Sequence, residues 1–250
     1  MVNLDELVAY VDDMLETDRF ADYCPNGLQV EGRLEVRKLV SGVTACQALL
    51  DAAHERGADA LLVHHGYFWR GEDARVVGIK RQRIQTLLQA QMSLLAYHLP
   101  LDAHPVYGNN AQLGERLGFV TEGQFGGEPA IGLYGHLSEA MPASKLAQHL
   151  EQVLQRPALH IAGGSSVIHN IAWCSGAAQG YIEQAVSLGV DAYVSGEISE
   201  QTVHVAREAG IHYFAAGHHV TERYGVQALG GYLAAHFGLK HEFVDIPNPV

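Results

Sequence analysis

The sequence lacks any long apolar run, and this limits the classes of protein to which it can belong. No stretch of roughly 18 uncharged apolar residues occurs in the chain, so we expect no membrane-spanning helix and no membrane partner. The first segment, MVNLDELVAYVDDML, is acidic and amphipathic, whereas a secretory signal begins with basic residues and continues with an apolar centre. We therefore expect a cytoplasmic protein.

Cysteine is also scarce. The three cysteines, Cys24, Cys46 and Cys174, are far apart and form no CxxC pair. An odd number of widely spaced cysteines predicts reduced thiols rather than a disulfide framework or a thiolate metal site.

Positive charge is the third deficit. The formal net charge of −12 argues against non-specific binding of nucleic acid, which depends on a basic surface. The one compact basic run is Lys80, Arg81 and Arg83 in GIKRQRIQTLL. This run fits either the solvated face of a helix or a local positive charge that binds an anionic substrate.

Strand-like and helix-like segments alternate along the chain. KLVSGVTA (38–45) reads as a buried strand, CQALLDAAHERG as a helix that ends at Gly57, and ADALLVHHG as an apolar central strand. The alternation continues to HEFVDIP near residue 245. It predicts an α/β fold with mostly parallel sheets and flanking helices.

An internal similarity divides the chain. Residues 41–66 resemble residues 175–197, with Ser41-Gly42, Gly57 and Asp59-Ala60 matching Ser175-Gly176, Gly189 and Asp191-Ala192. The match fits a duplication that gives two similar α/β layers, or the convergence of two βαβ units. TEGQFGGEP (121–129) is the best boundary candidate, and we expect a metal-site domain of 1–125 plus 212–250 and a second α/β domain of 126–211.

Five side chains that can bind metals lie in three short stretches, each at the end of an apolar run. His64 and His65 end LLVHH, Asp102 follows YHLPL, and His218 and Glu222 lie in AAGHHVTER. Imidazole and carboxylate are ligands of intermediate divalent cations, and the set admits Zn, Mn, Fe, Ni or Mg. Since parallel strands bring their carboxyl ends to one edge of a sheet, distant stretches can converge there.

The two histidine motifs also have plainer interpretations. Adjacent strand residues point to opposite faces, so His64 and His65 fit a buried residue beside an exposed one, or two ligands of different ions. Gly66 permits the backbone to leave the extended conformation after them. His218 and Glu222 share a helix face if a helix begins there, but they also fit an exposed surface pair.

The central motif offers a proton carrier. Pro100 excludes a regular helix through LPLDAH, which places His98 and Asp102 on a strand end and a loop. Asp102 is a candidate ligand, and His98 is either a ligand or an outer partner that orients one. His98, or an unliganded neighbour such as His219, could shuttle protons.

Five protein ligands exceed the three that are usual for one catalytic zinc ion. They suit two ions about 3.5–4 Å apart, bridged by a carboxylate and a water molecule. We favour Glu222 as the bridge and predict a catalytic part for Glu222 and His98. No Gly-x-Ser-x-Gly elbow, P-loop or complete dinucleotide fingerprint occurs, which argues against those chemistries.

These motifs resemble the GTP cyclohydrolase I type 2 homologue family, also called Nif-three-like proteins. The matching segments are PNGLQVEG (25–32), SGVTACQALLDAA (41–53), GADALLVHHGYFW (57–69), YHLPLDAHPVYGNN (97–110), DAYVSGEISEQT (191–202) and AAGHHVTER (215–223). The resemblance implies two interleaved α/β halves in a ring-shaped homohexamer. It also implies two divalent ions per subunit, bound by His64, His65, Asp102, His218 and Glu222.

Two hypotheses follow. One is a metal-dependent hydrolase that acts on a purine nucleotide. The family name implies hydrolytic opening of the purine ring of GTP, and Lys80, Arg81 or Arg83 would bind the phosphates. The other is a metal-binding ring without turnover that acts as a scaffold or a metal-responsive regulator.

Overall fold

The computed structural model describes all 250 residues, Met1–Val250, as a mixed α/β fold. The strands are β1 (Val2–Asn3), β2 (Gly27–Val30), β3 (Glu35–Val36), β4 (Lys38–Thr44), β5 (Ala60–His65), β6 (Ser93–Ala96), β7 (Phe119–Phe125), β8 (Gly132–Pro142), β9 (Leu159–Ile161), β10 (Val167–Cys174), β11 (Ala192–Ser195), β12 (His212–Ala215) and β13 (Lys240–Phe243). The helices are α1 (Leu4–Met14), α2 (Gln47–Glu55), α3 (Gly78–Ala90), α4 (Leu99–Ala103), α5 (Asn109–Leu117), α6 (Ala143–Leu154), α7 (Ile182–Ser187), α8 (Glu200–Ala209) and α9 (His218–Phe237). Short 3₁₀ turns occupy Thr17–Arg19 and Gln179–Tyr181.

The chain divides into two compact units. The first contains Met1–Gly108 and Gly225–Ile246, and the second contains Asn109–Tyr224 and Pro247–Val250. Of the three points in sequence at which the units meet, the one between Tyr224 and Gly225 falls within α9. The domain assignment made from the sequence, 1–125 plus 212–250 and 126–211, has other bounds and stays a prediction.

The first unit is built on a five-stranded sheet in the order β13-β4-β5-β6-β2. Strands β13, β4, β5 and β6 pair in parallel, and β2 pairs antiparallel with β6 at the edge. A separate antiparallel pair joins β1 to β3. The parallel core of this sheet confirms the predicted α/β class.

The second unit is built on a six-stranded sheet in the order β7-β8-β10-β11-β12-β9. Its centre, β10-β11-β12, is parallel, and the outer strands pair antiparallel. The Gly-rich TEGQFGGEP segment lies in β7 and in the connection to β8. The sequence pattern makes this segment the best boundary candidate, because glycine and proline are signals that a hairpin shares with a linker.

Side chains of each central strand alternate between two apolar layers. In β5, Ala60 and Leu62 pack against a cluster with α1 and α9, whereas Leu61 and Val63 pack against a cluster with α2 and α3. In the second unit, Trp173 of β10 packs with α5 and α6, and its neighbours in sequence pack with α7 and α8. Both sheets are therefore covered on both faces, which explains why their central strands are continuous apolar runs.

The internal similarity has a structural counterpart in two aspartates. The Asp59 carboxylate accepts the backbone N–H groups of Arg37 and Lys38 at 2.8 and 2.9 Å. The Asp191 carboxylate accepts those of His169 and Asn170 at 2.9 Å each. Each aspartate directly precedes a parallel strand. Asp59 contacts the start of β4, and Asp191 contacts β10 directly before its parallel pairing with β11 begins at Ile171.

Strand register refines the sequence match. Ala60 pairs with Leu39, and Ala192 pairs with Ile171, so the Asp-Ala pairs are equivalent. Ser41-Gly42 lies inside β4, whereas Ser175-Gly176 follows β10. The Ser-Gly match is therefore displaced by two positions, although the rest of the similarity holds.

Candidate metal centre

In the first unit, three imidazoles collect at the carboxyl ends of neighbouring strands. His64 and His65 are the last residues of β5, and His98 lies between β6 and α4. One ring nitrogen from each lies within 4.8 Å of the others. Because β5 and β6 are adjacent and parallel, their carboxyl ends bring these residues together.

His64 is fully buried, and a backbone carbonyl fixes its ring. Nδ1–H donates to the Tyr97 carbonyl at 2.9 Å, and since a carbonyl can only accept, the proton belongs on Nδ1. Nε2 then presents its lone pair and lies 3.5 Å from Asp102 Oδ1. Two ligands at zinc distance in tetrahedral geometry are about 3.3 Å apart, so this spacing suits one ion.

His65 lies against His64 rather than on the opposite face of the strand. The two ring centroids are 4.5 Å apart and the rings are inclined by 45°. His65 Nδ1 is 3.1 Å from Thr44 Oγ1, and the residue is half-buried. The alternation expected of a flat strand is lost because β5 ends here.

Gly66 makes room for this strand end. A Cβ at Gly66 would lie 2.2 Å from Gln29 Oε1 and 2.6 Å from the Ala96 Cβ, so no larger residue fits. The glycine therefore serves close packing.

Asp102 lies in the short helix α4, where the sequence predicts a loop. Pro100 occupies the first turn of that helix, where no backbone N–H is required for an intrahelical hydrogen bond. The expectation that Pro100 excludes a helix in this motif is wrong for this reason. The helix buries Asp102, which is 6% exposed, beside His64.

His98 is held by Asp22, a residue that the sequence analysis did not single out. Its Nδ1–H donates to Asp22 Oδ1 at 2.7 Å. Burial raises the pKa of Asp22, but the hydrogen bond and charge of His98 and further hydrogen bonds more than offset this and lower it to about 2. The His98 ring lies 5.0 Å from that of His64 and 5.0 Å from the Trp69 ring, which it meets edge-on.

In the second unit, His218 lies between two carboxylates. Nδ1–H donates to Glu197 Oε1 at 2.7 Å, and Nε2 lies 3.0 Å from Glu222 Oε2. Burial lowers the pKa of His218, but hydrogen bonds and charges from Glu222 and Glu197 more than offset this and raise it to about 9. The strongly anionic surroundings favour a cation.

Strand β12 ends at Ala215, and His218 begins α9. Gly217, at φ +109°, turns the chain between the two. The i,i+4 spacing still places His218 and Glu222 on one helix face.

Two glycines leave the space that Glu222 and His218 occupy. A Cβ at Gly176 would lie 2.0 Å from Glu222 Oε1, and Gly176 also has a φ of +65°. A Cβ at Gly196 would lie 2.8 Å from the His218 Cα. These contacts explain why a glycine follows the apolar end of each of the strands β10 and β11.

The basic run lies on α3 of the first unit, and its three cations have different surroundings. Lys80 Nζ is 2.9 Å from Glu72 and lies over the Phe68 ring at 4.9 Å. Arg81 donates to Gln85 at 3.1 Å, and Arg83 Nε is buried without a hydrogen-bond partner. Lys80 is thus already neutralised, and a phosphate would have to displace Glu72 to reach it.

The donor set fits divalent metal ions. The first unit offers imidazole nitrogens and the Asp102 carboxylate, and the second offers His218 and Glu222 with Glu197 behind them. Nitrogen and carboxylate oxygen ligands suit zinc, manganese, iron or nickel. That all five predicted ligands bind the same pair of ions stays a prediction. No helix has the length and apolar character needed to cross a membrane.

Comparison with known proteins places this chain among close relatives. The family model Duf34/NIF3 (NGG1p interacting factor 3) matches residues 2–249. A Pseudomonas aeruginosa protein called GTP cyclohydrolase 1 type 2 homolog is 58% identical over 250 residues, which cover 99% of each chain. A protein of the same name from Allochromatium vinosum is 55% identical over 249 residues, covering 100% of this chain and 98% of its own.

A solved structure agrees with these relatives. The protein ybgI, described as of unknown function, has a TM-score of 0.97 at 47% identity, and the match covers 100% of both chains. With a family model across nearly the whole length and relatives above half identity, the chain belongs to the DUF34/NIF3 family.

Proposed function

We propose that the protein is a dinuclear metal-dependent hydrolase that acts on a purine nucleotide, with ring opening of the kind named for its relatives as the first candidate. In this proposal His64, His65, Asp102, His218 and Glu222 bind two divalent ions per subunit. We also propose a cytoplasmic homo-oligomer, with the hexameric ring suggested by the family resemblance.

One observation carries the proposal: each unit holds an imidazole and a carboxylate at metal-ligand spacing. His64 Nε2 and Asp102 Oδ1 are 3.5 Å apart, and His218 Nε2 and Glu222 Oε2 are 3.0 Å apart. Asp102 and Glu222 are 6% and 3% exposed. Buried carboxylates are costly unless they are paired or bind a metal, so their retention beside imidazoles supports cation binding.

Bound divalent ions would supply a water of lowered pKa and polarise the carbon that it attacks. The residues of the chain would provide the rest. His98 accepts a proton as the water oxygen bonds to the amidine carbon, and it returns the proton to the nitrogen that leaves as the C–N bond breaks. Trp69, edge-on to His98, shields this ring from solvent on one side.

Phosphate recognition is assigned in this proposal to α3. Arg81 and Arg83 are the stronger candidates because Lys80 is paired with Glu72. Arg83 has a buried Nε without a hydrogen-bond partner, which a phosphate oxygen would satisfy.

The decisive experiment combines metal analysis with a substrate screen. Protein purified without chelator or added metal is analysed for bound elements and then tested for turnover of GTP and a nucleotide panel. Replacement of Glu222 by alanine should remove stoichiometric metal and turnover. Glu183→Ala, at an exposed glutamate of α7, is the matched control and should keep both.

Two outcomes would contradict the proposal. Full turnover by metal-free protein would exclude metal-dependent hydrolysis. Stoichiometric metal without turnover of any nucleotide would favour the non-catalytic alternative, a scaffold or metal-responsive regulator.

A further inference from the structure

We infer that Asp22 is a positioning residue that fixes the tautomer of His98 and directs its Nε2 to the imidazoles of His64 and His65. The inference rests on the proposed function, in which His98 carries the proton. It concerns the first unit alone, to which all four residues belong.

The side chain of Asp22 is buried, and each of its carboxylate oxygens accepts two hydrogen bonds. Its side chain is 2% exposed. Oδ1 accepts the Tyr23 backbone N–H at 2.6 Å and His98 Nδ1–H at 2.7 Å. Oδ2 accepts Asn26 Nδ2–H at 2.9 Å and the Leu99 backbone N–H at 3.0 Å. With four donors around it, this carboxylate has no free coordination position, so it acts through His98.

Only a carboxylate suits this position. Three of its four neighbours, the two backbone N–H groups and the Asn26 amide, can only donate to it. The Asn26 side-chain amide cannot flip without losing a hydrogen bond, because its Oδ1 accepts the His98 backbone N–H at 2.7 Å. The fourth neighbour is the His98 ring, which therefore carries its proton on Nδ1.

Asp22 and Asn26 also clamp the backbone from which His98 projects. They accept the successive N–H groups of His98 and Leu99 at the turn between β6 and α4. His98 has φ −99° and ψ −107° there, outside the common helical and extended regions. Held at both its backbone and its Nδ1, the ring can present only Nε2 to its surroundings.

The acceptor at Nδ1 separates His98 from the other two imidazoles. His64 donates to a carbonyl, and His65 Nδ1 lies beside a threonine hydroxyl. At Nδ1, His98 has the anionic acceptor Asp22, where His64 has a carbonyl and His65 has a hydroxyl. Its ring lies 5.0 Å from His64 and 5.7 Å from His65. The position and the acceptor together suit a proton carrier.

The wild-type protein provides the first test. In zinc-loaded protein labelled with ¹⁵N-histidine, long-range ¹H–¹⁵N correlation spectra distinguish the two tautomers, and His98→Gln identifies the His98 signals. We expect a proton on His98 Nδ1. A neutral His98 with its proton on Nε2 would overturn the inference.

Asp22→Asn provides the second test. The new amide NH₂ group at this position would face groups that donate hydrogen bonds. Of these groups, only His98 Nδ1 can become an acceptor, by moving its proton to Nε2. We expect this tautomer change, unchanged zinc content and a kcat lower by about 10²-fold or more. An unchanged His98 tautomer in the folded variant would also overturn the inference.

Asp12→Asn is the matched control. Asp12 accepts the Tyr97 hydroxyl at 2.8 Å in the same unit and makes no contact with His98, so its replacement should leave the tautomer unchanged. The spectra need no turnover, and they therefore decide the role of Asp22 even if the proposed hydrolase activity fails. If Asp22→Asn does not fold, the wild-type tautomer still decides.

Discussion

At the residue scale, each candidate ligand imidazole owes its orientation to one oxygen at Nδ1. The Tyr97 carbonyl holds His64, the Thr44 hydroxyl lies beside His65, and Glu197 holds His218. Since Nδ1 is engaged in all three, Nε2 is the nitrogen directed to a metal ion. Such partners commonly raise metal affinity by fixing the ring and increasing its basicity.

A prediction at this scale compares two glycines with similar backbones. Gly176 and Gly189 have φ of +65° and +72°, but only at Gly176 would a Cβ approach Glu222, at 2.0 Å, whereas at Gly189 it would meet nothing within 4 Å. Alanine at either position should cost about 1–2 kcal/mol of unfolding free energy through backbone strain. Gly176→Ala should also displace Glu222 and weaken metal binding by about 10-fold or more.

Denaturant unfolding and metal titration check this pair. Gly189→Ala is the control and should bind metal as the wild type does. Equal metal affinity in both variants would show that the Gly176 contact does not position Glu222.

At the element scale, aspartates that directly precede β5 and β11 align the parallel strands. Asp59 and Asp191 each accept two backbone N–H groups from the neighbouring strand. These hydrogen bonds occur at equivalent positions of the two sheets. They connect the end of each helix-to-strand connection to the preceding strand. They place the strand ends, and hence the histidines and carboxylates that follow them, in register.

The strand starts give a second prediction. Asp59→Ala or Asp191→Ala should each lower the unfolding free energy by about 2 kcal/mol, because two N–H groups lose a charged acceptor. Asp51→Ala in α2, where the carboxylate contacts only the Gln47 side chain at 2.8 Å, should change it by less than about 0.5 kcal/mol. Urea unfolding measures all three, and equal losses would exclude a special role for the strand starts.

At the scale of the whole molecule, acidity and buried carboxylates set the response to pH. The net charge is −12 and the sequence pI is about 5.6. Most acidic side chains are exposed, but Asp22, Asp102 and Glu222 are enclosed. The pKa of Asp22 is lowered on folding, so its ionisation is coupled to folding.

Asp22 provides the pH prediction. Its pKa falls from 3.8 to about 2 on folding, so its ionised form stabilises the native state above the unfolded-state pKa. That contribution, at most about 2 kcal/mol, should be lost as the pH falls from about 4 to 2. Acid unfolding of metal-free protein should thus be steeper for the wild type than for Asp22→Asn, and identical slopes would contradict this account.

The sequence by itself determined the α/β class, the parallel central strands and the three motifs that carry the candidate ligands. It could do so because apolar runs, glycine stops and metal-capable side chains are local features that survive in any tertiary context. The family followed from the same motifs. The hairpin β7–β8 and the first turn of α4 were not predicted, since glycine and proline there permit more than one local structure.

Only the tertiary structure decided which groups surround those side chains. Asp22 is 76 residues from His98 in sequence, and Glu197 is 21 residues from His218. No spacing rule connects such partners, because strand pairing and packing bring them together. For the same reason the sequence does not show that Lys80 is paired with Glu72. The sequence supplies the chemical groups, and the packing of the folded chain fixes their tautomers, charges and directions.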